Sequence, residues 1–364
     1  MRAAVLHSPG EALMVEELEP VGIGPREVVV RVTACGICHS DLGPIEGWRE
    51  VPLPIVLGHE AAGIIEEVGA RVHGLSVGDR VVTSFVLPCG ECAWCTRGEG
   101  HLCREGRPQT QTPRLRRADG TLATPFCGLG AFADMLVADE RSLVRVDCGL
   151  PDEQLALLGC AVTTGVFAVL NAAAVQAGDT VAVVGCGGVG QAIVQAARMV
   201  GASRVIAVDP IAMKRDSALQ SGASHALDPT GGDAVASVMD LTDGIGVDHA
   251  FDATGRTSAI RDSFGMTRRG GRAVLVGIPR PGEAVPWTLA EHFYEAKTVT
   301  GCIFGAANLV RDLPRLIALV EAGLFDLAPF VSDRISLKEI NDGIAAMREG
   351  SVIRTVIVPE SGKS

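Results

Sequence analysis

Short apolar runs separated by turns fill the first part of this chain of 364 residues. Up to about residue 150 the runs are rich in β-branched residues and are divided by glycine and proline, which predicts a β-rich region. The clearest runs are Glu27–Thr33, Ala62–Val68 and Asp79–Thr83. A basic stretch, Arg114–Arg117, is interpreted as a loop between such strands.

From about residue 160 the apolar pattern alternates between strands and helices, as in a parallel sheet covered by helices. Thr180–Val184 and Arg204–Val208 fit buried strands, and apolar positions from Val189 to Val200 recur at helical spacing between them. Two later strands of the same sheet are predicted at Val247–Asp252 and Arg272–Gly277.

The pattern changes again near Phe304, where helices resume before a final predicted strand, Ile353–Val358. We therefore predict two domains. One consists of residues 1–161 and 304–364, and an α/β domain of residues 162–303 is inserted into it.

One segment, Leu155–Val175, has no charged residue and is long enough to span a bilayer. Gly159 and Asn171 are among the residues that interrupt its apolar character, and no aromatic or basic flank marks its ends. We interpret it as a buried helix between the domains and expect no membrane partner.

The stretch between the first predicted strand and helix of the α/β domain has the spacing of a dinucleotide-binding loop. Its members are Gly185, Gly187, Gly188, Val189 and Gly190. Glycine at the first two positions keeps the turn tight and lets the backbone approach a pyrophosphate, which would lie at the helix N-terminus. Asp209, at the end of the next strand, can accept hydrogen bonds from a ribose 2′-hydroxyl, which favours NAD over NADP.

Composition and charge narrow the functional classes. A hydrophobic content of 47% with 21% charged residues describes a globular protein. The formal net charge of −11 argues against a nucleic-acid partner. Eleven cysteines, without a secretory pattern after Met1, predict reduced thiols in the cytoplasm that are used on metal.

Four of these cysteines form the most specific signal in the chain. Cys89, Cys92 and Cys95 are followed by Cys103, and four nearby thiolates make a tetrahedral zinc site without an open position. An iron–sulfur cluster is the rival interpretation, but its usual run has proline after the fourth cysteine, where this chain has Arg104. We expect a structural zinc that holds a glycine-rich lobe.

A second group of candidate ligands is scattered. Cys38, His59 and Cys160 each lie in a short glycine-containing motif, and each could be a buried thiol or a hydrogen-bonded histidine. Their spacing alone does not join them. Taken together, two cysteines and one histidine would leave a fourth zinc position open for water or substrate.

These motifs, in this order along nearly the whole chain, resemble the medium-chain, zinc-dependent alcohol dehydrogenases. The resemblance implies a chaperonin-10-like catalytic domain with an inserted Rossmann domain, NAD as cofactor, and two zinc ions per chain, one catalytic and one structural. It also implies a small alcohol or aldehyde as substrate, and a homodimer or homotetramer.

By this resemblance Cys38, His59 and Cys160 hold the catalytic zinc, where the metal acts as a Lewis acid while hydride passes to nicotinamide. Glu60 is a transient ligand and Asp41 orients the histidine. Ser40 takes the substrate proton first. The family often continues this relay to a histidine that is replaced here by Gly43, so we expect the proton to leave through the cofactor ribose and water. Asp41 and Glu60 could instead be turn or surface carboxylates.

The resemblance assigns further positions to the cofactor: His39, Thr164, Lys214, Val276, Ile278, Cys302, Phe304 and Arg354. Among them, His39 and Arg354 would contact the pyrophosphate and Lys214 would support Asp209. His39 could instead be a surface histidine, and Lys214 a solvated charge on a helix. The plain alternative for the others is a place in the core of a strand: Val276, Cys302, Phe304 and Arg354.

Four positions match the substrate pocket: Trp48, Arg49, Phe85 and Cys127. They could equally be packing residues. Four loop arginines could recognise an anionic thiol adduct of formaldehyde, although we favour a solvated loop. They are Arg107, Arg114, Arg116 and Arg117.

The leading hypothesis is an NAD-dependent zinc alcohol dehydrogenase acting on primary or aromatic alcohols and their aldehydes. The alternatives within enzymes are a thiol-dependent formaldehyde dehydrogenase and a variant that keeps its cofactor bound and needs an external electron acceptor. From other classes, we considered a catalytically inactive dinucleotide-binding relative and a non-enzymatic zinc-finger protein.

Overall fold

The computed structural model describes residues 1–106 and 109–359, apart from the side chain of Gln109. Its contacts divide the chain into two units. The first consists of Met1–Ala161, Asn308–Ala318 and the chain from Leu327 onward, and the second of Val162–Ala307 and Leu319–Asp326.

The strands, in chain order, are β1 (Arg2–Leu6), β2 (Met14–Pro20), β3 (Glu27–Gly36), β4 (Ile55–Val56), β5 (Glu60–Val68), β6 (Arg80–Thr83), β7 (Leu115–Arg117), β8 (Leu122–Pro125), β9 (Met135–Asp139), β10 (Leu143–Arg145), β11 (Thr180–Val184), β12 (Arg204–Val208), β13 (His225–Leu227), β14 (Val247–Asp252), β15 (Thr267–Leu275), β16 (Thr298–Gly301), β17 (Val331–Ile335) and β18 (Arg354–Ile357). The helices are α1 (Leu42–Glu46), α2 (Asp152–Ala156), α3 (Ala161–Phe167), α4 (Gly188–Met199), α5 (Ala212–Gln220), α6 (Ala234–Leu241), α7 (Thr257–Met266), α8 (Leu289–Glu295), α9 (Leu309–Glu321) and α10 (Ile340–Glu349).

The first unit combines a small closed barrel with a larger mixed sheet. The barrel order is β1-β2-β7-β8-β4, and the sheet order is β10-β6-β5-β3-β18-β17, with β9 also paired to β3. Apolar residues such as Val30, Leu57, Ile65 and Phe132 are buried in its core.

The pairing of β3 brings three chain segments to one end of this sheet. Antiparallel pairing places Gly36 of β3 opposite Glu60 of β5 and Val356 of β18. The residues just after β3, just before β5 and at the start of β18 therefore lie near one another. These are the positions of Cys38, His59 and Arg354.

The second unit is a parallel sheet in the order β13-β12-β11-β14-β15-β16, the strand order of a doubly wound dinucleotide-binding fold. Strands β11 and β12 have the predicted bounds and are buried along most of their length. The glycine loop and Asp209 follow these two strands at their carboxyl ends, where such folds bind ligands.

Two sequence interpretations are wrong. Leu155–Val175 is not one helix, because the chain breaks at Cys160 between α2 and α3 and becomes π-helical over Ala168–Ala173. A Cβ atom on Gly159 would lie 2.7 Å from the Thr83 carbonyl oxygen, so glycine permits a close backbone approach that a continuous helix would not use. No single helix among the described residues passes as a membrane span, although one pair bent by 59° fits by length and composition.

The second wrong interpretation is the loop at Arg114–Arg117, since Leu115–Arg117 forms strand β7 and pairs with β2. Flanking arginines form ion pairs in the barrel, Arg114 with Glu27 and Arg117 with Glu16. These two side chains are therefore bound within the protein rather than freely solvated. Arg107 lies outside the described residues.

Candidate active site and metal centres

Four potential ligands converge at the end of the large sheet. The ligand atoms of Cys38, His59, Glu60 and Cys160 all lie within 4.8 Å of one another. Cys38 follows β3, His59 directly precedes β5, Glu60 is the first residue of β5, and Cys160 occupies the break between α2 and α3. Cys38, His59 and Glu60 are buried. Two sulfurs and one imidazole nitrogen, with a carboxylate beside them, are a donor set that suits zinc.

Asp41 fixes the imidazole of His59 from behind. Its carboxylate is fully buried and lies 3.1 Å from His59 Nδ1, while it also accepts hydrogen bonds from the backbone N–H groups of Cys38 and Gly58. Burial lowers the pKa of His59, but the opposing effects of Asp41 and Cys38 are together larger. The pKa of His59 therefore lies well above its ordinary value. The same contact leaves Nε2 as the nitrogen that faces the other donors.

The sulfur and carboxylate donors are electrostatically coupled. The pKa of the Cys38 thiol lies well below its ordinary value, chiefly because the Cys160 thiol donates a hydrogen bond to it and because Arg354 is near. The pKa of Cys160 is raised by the same contact and by burial. Burial raises the pKa of Glu60 to about 8, against the opposing effect of Arg354. These opposite shifts show that several anions are unfavourable together in this buried place without a cation, and a bound metal ion would supply the missing positive charge.

Arg354 lies against these donors. Its side chain is 3% exposed, with Nη2 3.7 Å from Cys38 Sγ and 3.6 Å from a Glu60 carboxylate oxygen, and Nη1 donates to the Ile37 carbonyl. Arg354 Nε is buried without a hydrogen-bond partner among the described residues. The pyrophosphate role of Arg354 stays a prediction.

Ser40 lies at the predicted relay position. Its hydroxyl oxygen is 3.0 Å from His59 Nε2. No side chain follows at Gly43, where a Cβ atom would lie 3.0 Å from both the Cβ atom of Arg49 and the ring of Trp48. The space next to the absent relay group is therefore filled by the segment 48–49.

Aromatic rings flank His59. Phe85 and Phe126 meet its imidazole edge-on, with centroid separations of 5.9 and 5.7 Å, and the Arg49 guanidinium lies over the Phe126 ring. Burial raises the pKa of the Cys127 thiol, although nearby His59 lowers it. Phe126 was not among the sequence candidates, and no local pattern distinguishes it from other core phenylalanines.

The second metal centre is local in sequence. The four sulfurs of Cys89, Cys92, Cys95 and Cys103 also lie within 4.8 Å of one another. Backbone N–H groups donate to these sulfurs, and those of Glu91 and Cys92 lower the pKa of Cys89 to about 7. Burial raises the pKa of Cys95 to about 12. Four sulfurs with N–H···S support fit a structural zinc.

The glycine loop of the second unit fits a dinucleotide. Gly185 has a φ of +90°, and a Cβ atom on Gly190 would lie 1.9 Å from the Gly185 carbonyl oxygen. A Cβ atom on Gly187 would meet no protein atom within 4 Å, so the protein itself does not require glycine there. The open space in front of Gly187 is what a close approach of phosphate needs.

Asp209 is buried and rigidly held. Its two carboxylate oxygens accept hydrogen bonds from the backbone N–H groups of Cys186, at 2.7 Å, and Ile211, at 2.8 Å. Each oxygen has a further lone pair, so a ribose hydroxyl can still donate to it. Nearby Lys214 is also buried, in helix α5.

The remaining cofactor candidates lie in varied surroundings. Thr164, Val276, Cys302 and Phe304 are buried, whereas His39 and Ile278 are exposed. The backbone N–H groups of Val276 and Cys302 donate to the carbonyl oxygens of Asp252 and Leu275, respectively. Phe304 has a φ of +53°, a constrained backbone for a bulky residue. Their cofactor roles stay predictions.

Comparisons with known proteins find matches in both units of the chain. A family model described as Alcohol dehydrogenase GroES-like domain matches residues 24–148, and one described as Zinc-binding dehydrogenase matches residues 188–322. An NDMA-dependent alcohol dehydrogenase from Amycolatopsis methanolica is 40% identical, covering 98% of each chain. An S-(hydroxymethyl)glutathione dehydrogenase from Escherichia coli is 36% identical, covering 98% of this chain and 99% of that protein.

Among solved structures, benzyl alcohol dehydrogenase from Acinetobacter calcoaceticus superimposes with a TM-score of 0.92 at 31% identity, over 99% of each chain. These matches, together with the two kinds of sheet, confirm the predicted fold class.

Proposed function

Because the chain belongs to the medium-chain, zinc-dependent alcohol dehydrogenase family, we propose that this oxidoreductase transfers hydride between NAD and primary or aromatic alcohols and their aldehydes. The observation that carries the proposal is the convergence of Cys38, His59 and Cys160 beside Glu60 in one buried place. Residues from three distant segments meet there with the donor atoms of a catalytic zinc site.

In this proposal Cys38, His59 and Cys160 hold zinc, and Glu60 is the neighbouring carboxylate that can exchange with water. Bound zinc would supply a Lewis acid that favours loss of the alcohol proton, and bound NAD would supply the hydride acceptor. Asp41 holds His59 in one orientation through Nδ1, which keeps Nε2 available as a ligand. Arg354 balances the charge of Cys38 and Glu60.

Ser40 is the first proton acceptor in this mechanism, because its hydroxyl lies beside His59. Gly43 offers no side chain to carry the proton further. We infer that the side-chain relay of this protein ends at Ser40, and that a bound cofactor ribose and water would supply the rest of the route. The phenyl rings of Phe85 and Phe126 exclude water from one side of His59 and provide an apolar wall that suits an aromatic substrate.

The proposal includes a structural zinc on Cys89, Cys92, Cys95 and Cys103, and NAD on the glycine loop with Asp209 at the adenosine ribose. It retains the other cofactor positions named from the sequence and the domain bounds of residues 1–161 with 304–364, and 162–303. A cytoplasmic homodimer or homotetramer remains part of the hypothesis.

The test is an assay of purified, dialysed, zinc-loaded protein with a panel of alcohols. Reduction of added NAD by benzyl alcohol or a primary aliphatic alcohol is expected, with slower reduction of NADP. In Asp209→Ala the ratio of kcat/KM with NAD to kcat/KM with NADP should fall by roughly tenfold. The variant loses both the hydrogen bond from the NAD ribose to the carboxylate and the repulsion between the carboxylate and the NADP 2′-phosphate. Failure to oxidise any alcohol with any acceptor would contradict the proposed function.

Two relatives favour specific alternatives. Similarity to the Amycolatopsis enzyme named NDMA-dependent favours an enzyme that retains its cofactor and passes electrons to an added acceptor. Turnover with NDMA but not with free NAD in dialysed protein would identify it. Similarity to S-(hydroxymethyl)glutathione dehydrogenase favours the thiol-dependent alternative. Formaldehyde oxidation that requires added glutathione or mycothiol would identify that one.

A further inference from the structure

Arg49 lies at the edge of the aromatic wall beside the candidate zinc ligands. Its guanidinium carbon is 4.9 Å from the centre of the Phe126 ring. Phe126 is 3% exposed and meets the imidazole of His59 edge-on at 5.7 Å. One aromatic ring, that of Phe126, therefore contacts both the Arg49 guanidinium and a proposed zinc ligand, His59.

The guanidinium of Arg49 has no hydrogen bond or ion pair with any described residue, in contrast to Arg114 and Arg117, which pair with Glu27 and Glu16. Arg49 is exposed. A contact with the Phe126 ring does not use the guanidinium N–H groups as hydrogen-bond donors to an oxygen, so they remain available for an acceptor.

Two nearby carboxylates have other partners. Asp41 is committed to His59 and to two backbone N–H groups. Glu46 lies 3.3 Å from Trp48 Nε1 and 3.6 Å from Arg348. Arg49 is also close enough to the candidate site to act on the Cys127 thiol. Burial raises the pKa of Cys127, whereas His59 and, less strongly, Arg49 lower it.

The absence of a side chain at Gly43 allows Arg49 to lie close to it. A Cβ atom on Gly43 would lie 3.0 Å from the Cβ atom of Arg49, and the Arg49 backbone N–H donates to the Gly43 carbonyl at 3.2 Å. The position that lacks the relay side chain is thus the one that lets Arg49 pack close. An unpaired cation, an aromatic platform and a small neighbour are together in one corner of the site.

We propose that Arg49 selects aromatic alcohols and aldehydes that carry a carboxylate on the ring, remote from the reacting carbon. This inference rests on the proposed function and specifies its substrate class. The aromatic ring of the substrate packs beside Phe126, and the carboxylate accepts hydrogen bonds from the guanidinium edge. The guanidinium and the carboxylate can form a pair of parallel hydrogen bonds, which is the geometry that these two groups favour.

The test compares two substrates of nearly equal shape, 4-(hydroxymethyl)benzoate and 4-(hydroxymethyl)benzamide, together with their 3-substituted isomers. For at least one isomer the wild-type protein should show a kcat/KM for the acid several times that for the amide. In Arg49→Gln this ratio should fall by roughly tenfold, mainly through KM, because a charge-assisted pair is replaced by a neutral one. Arg49→Lys should retain part of the preference.

Salt and a matched variant separate recognition from general effects. Raising the ionic strength should reduce the acid preference of the wild-type protein but not that of Arg49→Gln. Arg71→Gln removes another exposed arginine of the same unit and should leave the ratio unchanged. Equal ratios in wild type and Arg49→Gln, or a protein active on aliphatic alcohols alone, would overturn the inference. Inactivity toward every alcohol would instead contradict the proposed function.

Discussion

The two cysteine groups of this chain differ in how far apart their members lie in sequence and in what surrounds them. Cys89, Cys92, Cys95 and Cys103 lie within one local lobe, in which Gly100 is the one buried residue. Cys38, His59 and Cys160 come from segments separated by up to 122 positions and are enclosed by the core of the first unit. A sheet holds one group in place, while little except its own ligands can hold the other.

In the proposed function, this difference assigns different roles to the two zinc ions. The lobe has backbone N–H···S contacts and few buried apolar residues, so we expect its order to depend on a bound ion. The buried group is positioned by β3, β5 and β18 and by Asp41, so it can keep an open coordination position for chemistry. We expect loss of the first ion to affect stability and loss of the second to affect turnover.

The largest effect is expected for Cys38→Ala. Removing a ligand from the buried group should reduce kcat by at least about a thousandfold, because polarisation of the substrate by a bound metal ion lowers the activation barrier by several kcal/mol. The glycine loop lies in the second unit, so NADH binding measured by fluorescence titration should change little. Cys35→Ala is the matched control, since Cys35 is a buried thiol outside the ligand group and should retain zinc and activity.

An equal loss of turnover and NADH binding in Cys38→Ala would assign this residue a folding role and remove the division between the two centres.

Cys95→Ala should have the converse effect. The protein should lose one zinc per chain, and its unfolding free energy should fall by roughly 3 kcal/mol or more, since metal binding stabilises the folded lobe. At low temperature kcat should remain within about threefold of wild type, a range that ordinary repacking of a remote site allows. Zinc analysis, thermal unfolding and initial rates measure these quantities, with Cys148→Ala as the control for a half-buried thiol.

A stable but inactive Cys95→Ala protein would contradict the assigned roles.

The same contrast explains what could be predicted from the sequence. The spacing of Cys89–Cys103 alone predicts that the four sulfurs of the lobe lie together, because all four candidate ligands are local in sequence. The buried group needed a family resemblance, since no spacing rule connects Cys38 to Cys160. Strands β11 and β12 have the bounds predicted from the sequence, because each is a short run that is continuously apolar after its first residue.

Predictions failed where tertiary contacts override a local pattern. An uncharged segment suggested one helix at Leu155–Val175, but the close approach of Gly159 to Thr83 breaks it and turns Cys160 toward Cys38. The stacking of Arg49 on Phe126 joins residues far apart in the chain and leaves no sequence signal.

A smaller effect is expected when a residue that only supports the buried group is changed. In Asp41→Asn the His59 orientation loses a charged partner, and kcat/KM or zinc affinity should fall by about 10- to 100-fold, the range found for such supporting carboxylates. The lobe should be unaffected, so only the catalytic zinc should be lost. Zinc analysis during a chelator titration measures this loss. Simultaneous release of both ions would mean that Asp41 acts on stability in general.

The smallest effect should arise at the support of the lobe. Arg141 donates to the Cys89 carbonyl at 3.2 Å and pairs with Asp139 of β9, so it connects the lobe to the sheet. Arg141→Gln should accelerate chelator-driven loss of the structural zinc by about fivefold, which corresponds to roughly one hydrogen bond of about 1 kcal/mol. Release of the catalytic zinc and kcat should not change. Arg26→Gln, which breaks the neighbouring pair with Glu140, is the control. If both variants accelerate release equally, the lobe senses the general charge of the sheet rather than this contact, and the two centres are less independent than their surroundings indicate.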